Sequence, residues 1–233
     1  MAQKRSKRYR KAAELVDPSK SYSLEEAVET LKKFPVPKFD PTVTLSFHLG
    51  VDPRKSDQMV RGSVSLPHGT GKDVKVAVFA KGEAAKAAEE AGAKFVGFED
   101  LIKKVQEGFT DFDAAIATPE AMTEVRKIAR VLGPRGLMPN PKTGTVTDDT
   151  AKAVREVMAG RIDYKIDKSA NISGPIGRAS FDADKLHENA STFIESVVKA
   201  KPASAKGNYV RNITLAAAMC PGIALEPSIY TTR

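Results

Sequence analysis

Gly136 stands six residues ahead of Lys142-Thr143 in the run Gly133-Pro134-Arg135-Gly136-Leu137-Met138-Pro139-Asn140-Pro141-Lys142-Thr143-Gly144-Thr145. That spacing is close to a loop that cradles nucleotide phosphates. Such a loop needs glycine directly before the lysine, where a backbone N–H turns toward phosphate, and Pro141 has no N–H to offer. Phosphate-cradle chemistry is therefore not expected. Glycine opens backbone angles closed to other residues and proline fixes its own, so the run reads as a rigid structural clasp. Other catalytic chemistry is equally sparse. Cys220 is the only cysteine. It excludes an internal disulfide and a cysteine-built metal site, fits a reducing cytosol, and has no adjacent histidine or acid to activate it. His48, His68 and His187 are too far apart to form a helix-spaced ligand pair, so no metal is expected. After the apolar stretch Val74–Phe79 the chain reads Ala80-Lys81-Gly82-Glu83-Ala84-Ala85, without the glycine triplet that lets a dinucleotide pyrophosphate approach. A nucleotide-dependent enzyme is the alternative class, and these absences disfavour it; no cofactor is expected.

Charge points to a different chemistry. The net charge of +8 attracts polyanions. Residues 68–159 hold 14 Lys or Arg against 14 Asp or Glu, which leaves 23 cations and 15 acids in the flanks. The whole excess lies outside the middle. Lys4, Arg5, Lys7, Arg8, Arg10 and Lys11 add six cations without an acid among them, a composition suited to nucleic-acid phosphate. No apolar run is long enough to cross a bilayer, and no apolar segment follows the basic start, so neither membrane insertion nor secretion is expected.

These groups need a scaffold, and the elements divide into two styles. Thr42–Leu49 alternates, placing Val43, Leu45, Phe47 and Leu49 toward a core and Thr44, Ser46 and His48 outward. Val60, Val64 and Leu66 continue that style. The strand-like stretches 161–168, 171–176 and 209–215, with an amphipathic helix over 182–199 that turns Leu186, Phe193, Ile194 and Val197 inward, are expected to complete the same layer. In the middle, strands near 74–79, 95–97 and 114–117 alternate with helices over 82–91, 99–107 and 118–132. The fold class expected is α/β. A discontinuous outer α+β domain, residues 1–67 and 160–233, would hold an inserted Rossmann-like three-layer domain, residues 68–159, with hinge motion about the two crossings.

The run Ile128-Ala129-Arg130-Val131-Leu132 with the clasp after it resembles the signature of the L-one family of large-subunit ribosomal proteins. Further matching segments follow in order: Lys7–Arg10, Lys38-Phe39-Asp40, Leu49–Arg54, Val60-Arg61-Gly62, Leu66–Gly69, Ala80-Lys81-Gly82, Ala159-Gly160-Arg161 and Ala205-Lys206-Gly207. The resemblance implies the discontinuous architecture just described and a non-enzymatic, cytoplasmic ribosomal protein. Its implied partners are large-subunit rRNA at the mobile stalk near the tRNA exit site, deacylated tRNA, and its own messenger RNA, whose translation it would repress. Off the ribosome it would be a monomer. The RNA contacts expected are Arg5, Arg8, Lys38, Phe39, Thr42, Thr44, His48, Lys168, Arg178, Ser180, Ala218, Met219 and Cys220. Cations there would meet phosphates, hydroxyls would meet riboses, and Phe39 would lie at the RNA surface. Two features depart from the pattern. The family more often has lysine where His48 stands, and its usual turn of threonine, methionine, glycine and proline reads Ala218-Met219-Cys220-Pro221 here.

Overall fold

A computed structural model describes residues 5–230, apart from the side chain of Lys142. Lys4 therefore lies outside the described residues. Nine strands are described, β1 Thr42–Leu49, β2 Arg61–Ser65, β3 Val76–Phe79, β4 Phe95–Gly97, β5 Ala114–Ala117, β6 Arg161–Lys165, β7 Asn171–Arg178, β8 Val210–Ala217 and β9 Gly222–Leu225. The helices are α1 Lys7–Ala13, α2 Leu24–Lys32, α3 Glu83–Glu90, α4 Glu99–Gln106, α5 Met122–Val125, α6 Ala129–Leu132, α7 Thr150–Met158 and α8 Ala183–Lys199. The fold is mixed α/β, and it divides into two compact units. One joins the chain up to Gly71 with that from Ile162 onward; the other is Lys72–Arg161.

The first unit is built on an antiparallel sheet in the order β7-β1-β8-β9. Alternation on β1 buries Val43, Leu45, Phe47 and Leu49 and leaves the residues between them half-buried on the opposite face. Each such side chain removed from water contributes about 1.5–3 kcal/mol. Ile172, Ile176, Ile213, Leu215, Ile223 and Leu225 join the same core, which α2 and α8 complete. Phe193 of α8 packs edge-on against Phe47, with ring centroids 5.5 Å apart, and against Tyr164 at 5.6 Å. β2 and β6 do not extend the main sheet, as the sequence pattern suggests they would; they pair with each other in a two-stranded sheet. Alternation alone fixes a strand's buried face, not its neighbour.

The second unit carries a parallel sheet in the order β4-β3-β5. β3 is buried on both faces. Ala77 and Phe79 meet a cluster with α4 and Val125, Ile128 and Leu132, while Val76 and Val78 meet Ala88 of α3 and Ala153, Val154 and Val157 of α7. The helix expected over 118–132 is broken by a 3-10 turn at Arg126–Ile128, which still brings Val125, Ile128 and Leu132 to one side. The glycine- and proline-rich segment works as a clasp. Its end pairs with the rim of β5, where Ala117 N donates to Thr145 O (3.0 Å) and Thr147 N to Ala117 O (3.2 Å). Gly136 and Gly144 take φ of 72° and 64°, values that L side chains rarely adopt. Thr143 is buried there, and its carbonyl accepts from Arg161.

The crossings between units fall slightly beyond Pro67-His68-Gly69 and Ala159-Gly160, for a local reason. Buried Asn189 of α8 accepts from His68 N (3.1 Å) and donates to Gly69 O (3.0 Å) and Ile176 O (2.8 Å), tying that segment to the first unit. Arg161 is held by Glu156 at 2.8 Å and by Thr143, within the second.

Candidate nucleic-acid interface

The outer face of the β7-β1-β8 sheet arranges uncharged polar side chains in cross-strand rows. Ser46 lies between Ser173 and Thr214, and His48 between Asn171 and Asn212. Together with Asp167 these six residues line a shallow depression of about 370 Å³. Ser46 Oγ and Ser173 Oγ are 2.9 Å apart, and His48 Nδ1 is 2.9 Å from Asn171 Oδ1. In the neutral tautomer whose Nδ1 donates to that Asn171 oxygen, His48 Nε2 is left as an acceptor. Asn171 is in turn fixed by Asp167, whose Oδ1 accepts from Asn171 N at 2.7 Å and Ser169 N at 2.8 Å. Those backbone donors, Asn171 first, hold the Asp167 carboxyl below its ordinary pKa of 3.8. A floor of hydroxyls, amides and an imidazole suits ribose 2′-hydroxyls and base edges. Ser46, Asn171, Ser173, Asn212 and Thr214 carry no motif in the sequence. The signal that could have found them is the alternation Asn171-Ile172-Ser173 and Asn212-Ile213-Thr214-Leu215, two further half-buried strands beside β1.

One end of this floor is closed by two braced loops. Asp40 accepts from Ser180 N (3.1 Å) and Ser180 Oγ (2.7 Å), and Arg178 Nη1 donates to Asp40 O (3.1 Å) and Thr42 Oγ1 (3.3 Å). Arg178, Ser180 and Thr42 thus fix the Lys38-Phe39-Asp40 loop. Lys38 is exposed and Phe39 is 46% exposed, an aromatic beside a cation and uncovered by the core. Thr44 Oγ1 donates to Ala216 O at 3.3 Å.

The second loop is the β8–β9 turn. Ala218 N donates to Thr42 O (3.0 Å) and Cys220 N to Ala217 O (2.9 Å), which docks the turn against the start of β1. Met219 takes φ of 61° and is 69% exposed. A left-handed non-glycine residue costs about 1–2 kcal/mol, so the fold holds an apolar side chain in solvent at an energetic cost. Arg8 on α1 donates through Nη2 to Met219 O at 3.3 Å, while its Nη1 is buried without a hydrogen-bond partner among the described residues. Arg8 braces the turn rather than reaching outward. Burial raises the Cys220 thiol, a shift that the Arg8 charge only partly offsets, so the sulfur stays protonated and poorly nucleophilic. Arg5 lies over the Tyr9 ring at 4.5 Å, and Lys168 is exposed on the turn between β6 and β7.

Among the described residues, the second unit presents a different surface. The crevice outside the carboxyl ends of β3 and β5, where doubly wound sheets bind nucleotides, is lined among the described residues by Glu83, Glu120, Asp148 and Asp149 against Lys81. Four carboxylates repel a phosphate. Arg135 of the clasp donates to Thr110 Oγ1, and the Lys142 side chain lies outside the described residues. The model of the Ribosomal protein L1p/L10e family matches residues 31–221, most of the chain.

The chain belongs to the ribosomal protein L1p/L10e family.

L1p/L10e proteins are structural, rRNA-binding components of the large ribosomal subunit and not enzymes. The matched span includes both loops and all of the β7-β1-β8 face. Among the described residues no helix is long and apolar enough to cross a membrane.

Proposed function

We propose that the β7-β1-β8 face of the first unit is the rRNA-binding surface, with Phe39 and Met219 as its exposed apolar contacts. The observation that carries this reading is the pairing of the uncharged donor and acceptor rows with a turn strained to hold Met219 in solvent. Folded RNA is recognised by shape, ribose hydroxyls and stacked bases more than by charge, and the floor supplies those contacts. Lys38, Lys168 and Arg5 meet phosphates at its margins. Arg8, Arg178 and Ser180 act by fixing the loops, and Thr42, Thr44, Ala218 and Cys220 offer backbone and the edges of the turn. His48 Nε2 takes a hydrogen bond from a ribose hydroxyl where the family more often has lysine.

On this reading the protein sits on the mobile stalk of the large subunit, in the cytoplasm, near the exiting deacylated tRNA. The Rossmann-like unit hinges without doing chemistry. The same surface binds a mimic of the rRNA site in the protein's own messenger RNA and represses its translation, and off the ribosome the chain is a monomer. The test is binding of the full chain to a stalk rRNA fragment. Phe39→Ala and Met219→Ala each weaken it by about 1–3 kcal/mol, the range for an aromatic or apolar contact to a base, and Arg135→Ala changes it by less than a few tenths. Equal losses at all three positions would remove the sheet face as the binding surface.

A further inference from the structure

The floor has no cation of its own, so the phosphates of any RNA lying along β1 must be met at its ends. At the end away from Met219, the loop after β1 and the segment before β8 close a second depression of about 440 Å³, lined by Gly50, Val51, Asp52, Lys55, Gln58, Ser204, Lys206 and Arg211. It is preformed. Gly50 N donates to Tyr209 O at 2.7 Å, and Gln58 Oε1 accepts from Asp52 N at 2.8 Å. Ser204 Oγ donates to Asp57 O at 3.2 Å. A side chain at Gly50 would bring Cβ within 2.2 Å of Asn208 O, so the close approach of the two segments depends on glycine. Asp52 is the one acid of the lining, and its Oδ1 already accepts from Arg54 N at 3.1 Å. Lys55, Lys206 and Arg211 make no ion pair among the described residues. Three charged donors converge here with a surplus over the single carboxylate.

We propose that this depression is a phosphate subsite of the RNA interface, taking backbone phosphodiesters of the strand that runs along β1. Arg211 directly precedes Asn212 of the floor, and Gly50 directly follows β1, so the pocket continues the surface already described. From Thr42 to Gly50 the path is about 26 Å at roughly 3.3 Å per residue, long enough for several nucleotides. This assignment rests on the sheet being an RNA surface and extends it to residues outside the two braced loops.

Salt-dependent binding of the full chain to the stalk rRNA fragment tests the subsite. The exposed double variant Lys206→Gln/Arg211→Gln is compared with Lys103→Gln/Lys104→Gln, which removes the same charge from the other unit, and with Phe39→Ala. The pocket variant should bind about tenfold more weakly near physiological salt and lose about two from the slope of log affinity against log salt, as two phosphate contacts require. The Lys103/Lys104 variant should match wild type, and all melting temperatures should agree. If the pocket variant also matches wild type while Phe39→Ala still weakens binding, the subsite is overturned and the sheet reading stands. If wild type binds with no salt dependence, the subsite is overturned; if wild type does not bind the fragment at all, the sheet reading fails. A titration with inorganic phosphate separates the two sources of anion. Amide shifts at Lys206 and Arg211 in phosphate, together with unaltered RNA binding by the pocket variant, would make this a free-anion site and overturn the assignment.

Discussion

His48, Asn171 and Asp167 form a chain in which each group orients the next, and its anchor is a carboxylate. The folded Asp167 carboxyl sits below its ordinary value of 3.8, chiefly because Asn171 N donates to it. A depressed acid stabilises the fold fully above its unfolded pKa, and that contribution disappears as pH falls through the folded value. Asp167→Asn should therefore lower stability at pH 7 by less than about 1 kcal/mol, as expected for an exposed group, and flatten the fall in stability below pH 3.8. Urea midpoints at pH 7 and at pH 3 measure both effects; an unchanged acid limb would show that Asp167 is not the anchor. This chain was hidden in the sequence, because its members lie 123 residues apart and meet only through the β1–β7 register. Phe39 and Met219 were visible earlier, as apolar residues beside a cation or in a turn. Arg8, Arg178 and Ser180 take intramolecular partners that charge or polarity alone did not reveal. Each is polar and near the surface, yet the structure directs it to a loop carbonyl, hydroxyl or carboxylate.

At the level of elements, the floor is backed from beneath by α8. Gly174 of β7 leaves room for the Phe193 ring: an added Cβ would lie 2.7 Å from Phe193 Cζ and 3.3 Å from Ile162 Cδ1. Gly174→Ala should cost about 1–3 kcal/mol through overpacking, and Phe193→Leu in the same chain should recover part of that loss. Denaturant unfolding of the two single variants and the double variant measures the coupling; strict additivity would show that the ring does not fill the space. Long periodic elements such as β1 and α8 were legible, since a single buried face determines their pattern. The elements left out of that reading were α1, α2, α7 and β9, together with the break inside the helix at 126–128. α7 interleaves Ala153, Val154 and Val157 with charged residues, and β9 has only four residues, too few to show a period. β2 had the right pattern and the wrong expected partner, because register and pairing come from the assembled core.

Across the whole molecule, charge and polarity separate by unit. Lys72–Arg161 contains 15 Lys or Arg and 14 Asp or Glu, so nearly all of the +8 belongs to the first unit. The second unit places four carboxylates at the crevice where a nucleotide would sit, while the first offers polar rows between cations. Hydrogen exchange of the full chain, with and without a stalk rRNA fragment, tests this division most directly. Binding should protect β1, β7, β8 and the Met219 turn and leave the β3–β5 crevice exchanging as in the free protein. Protection confined to Lys72–Arg161, with the β7-β1-β8 face unchanged, would contradict the account.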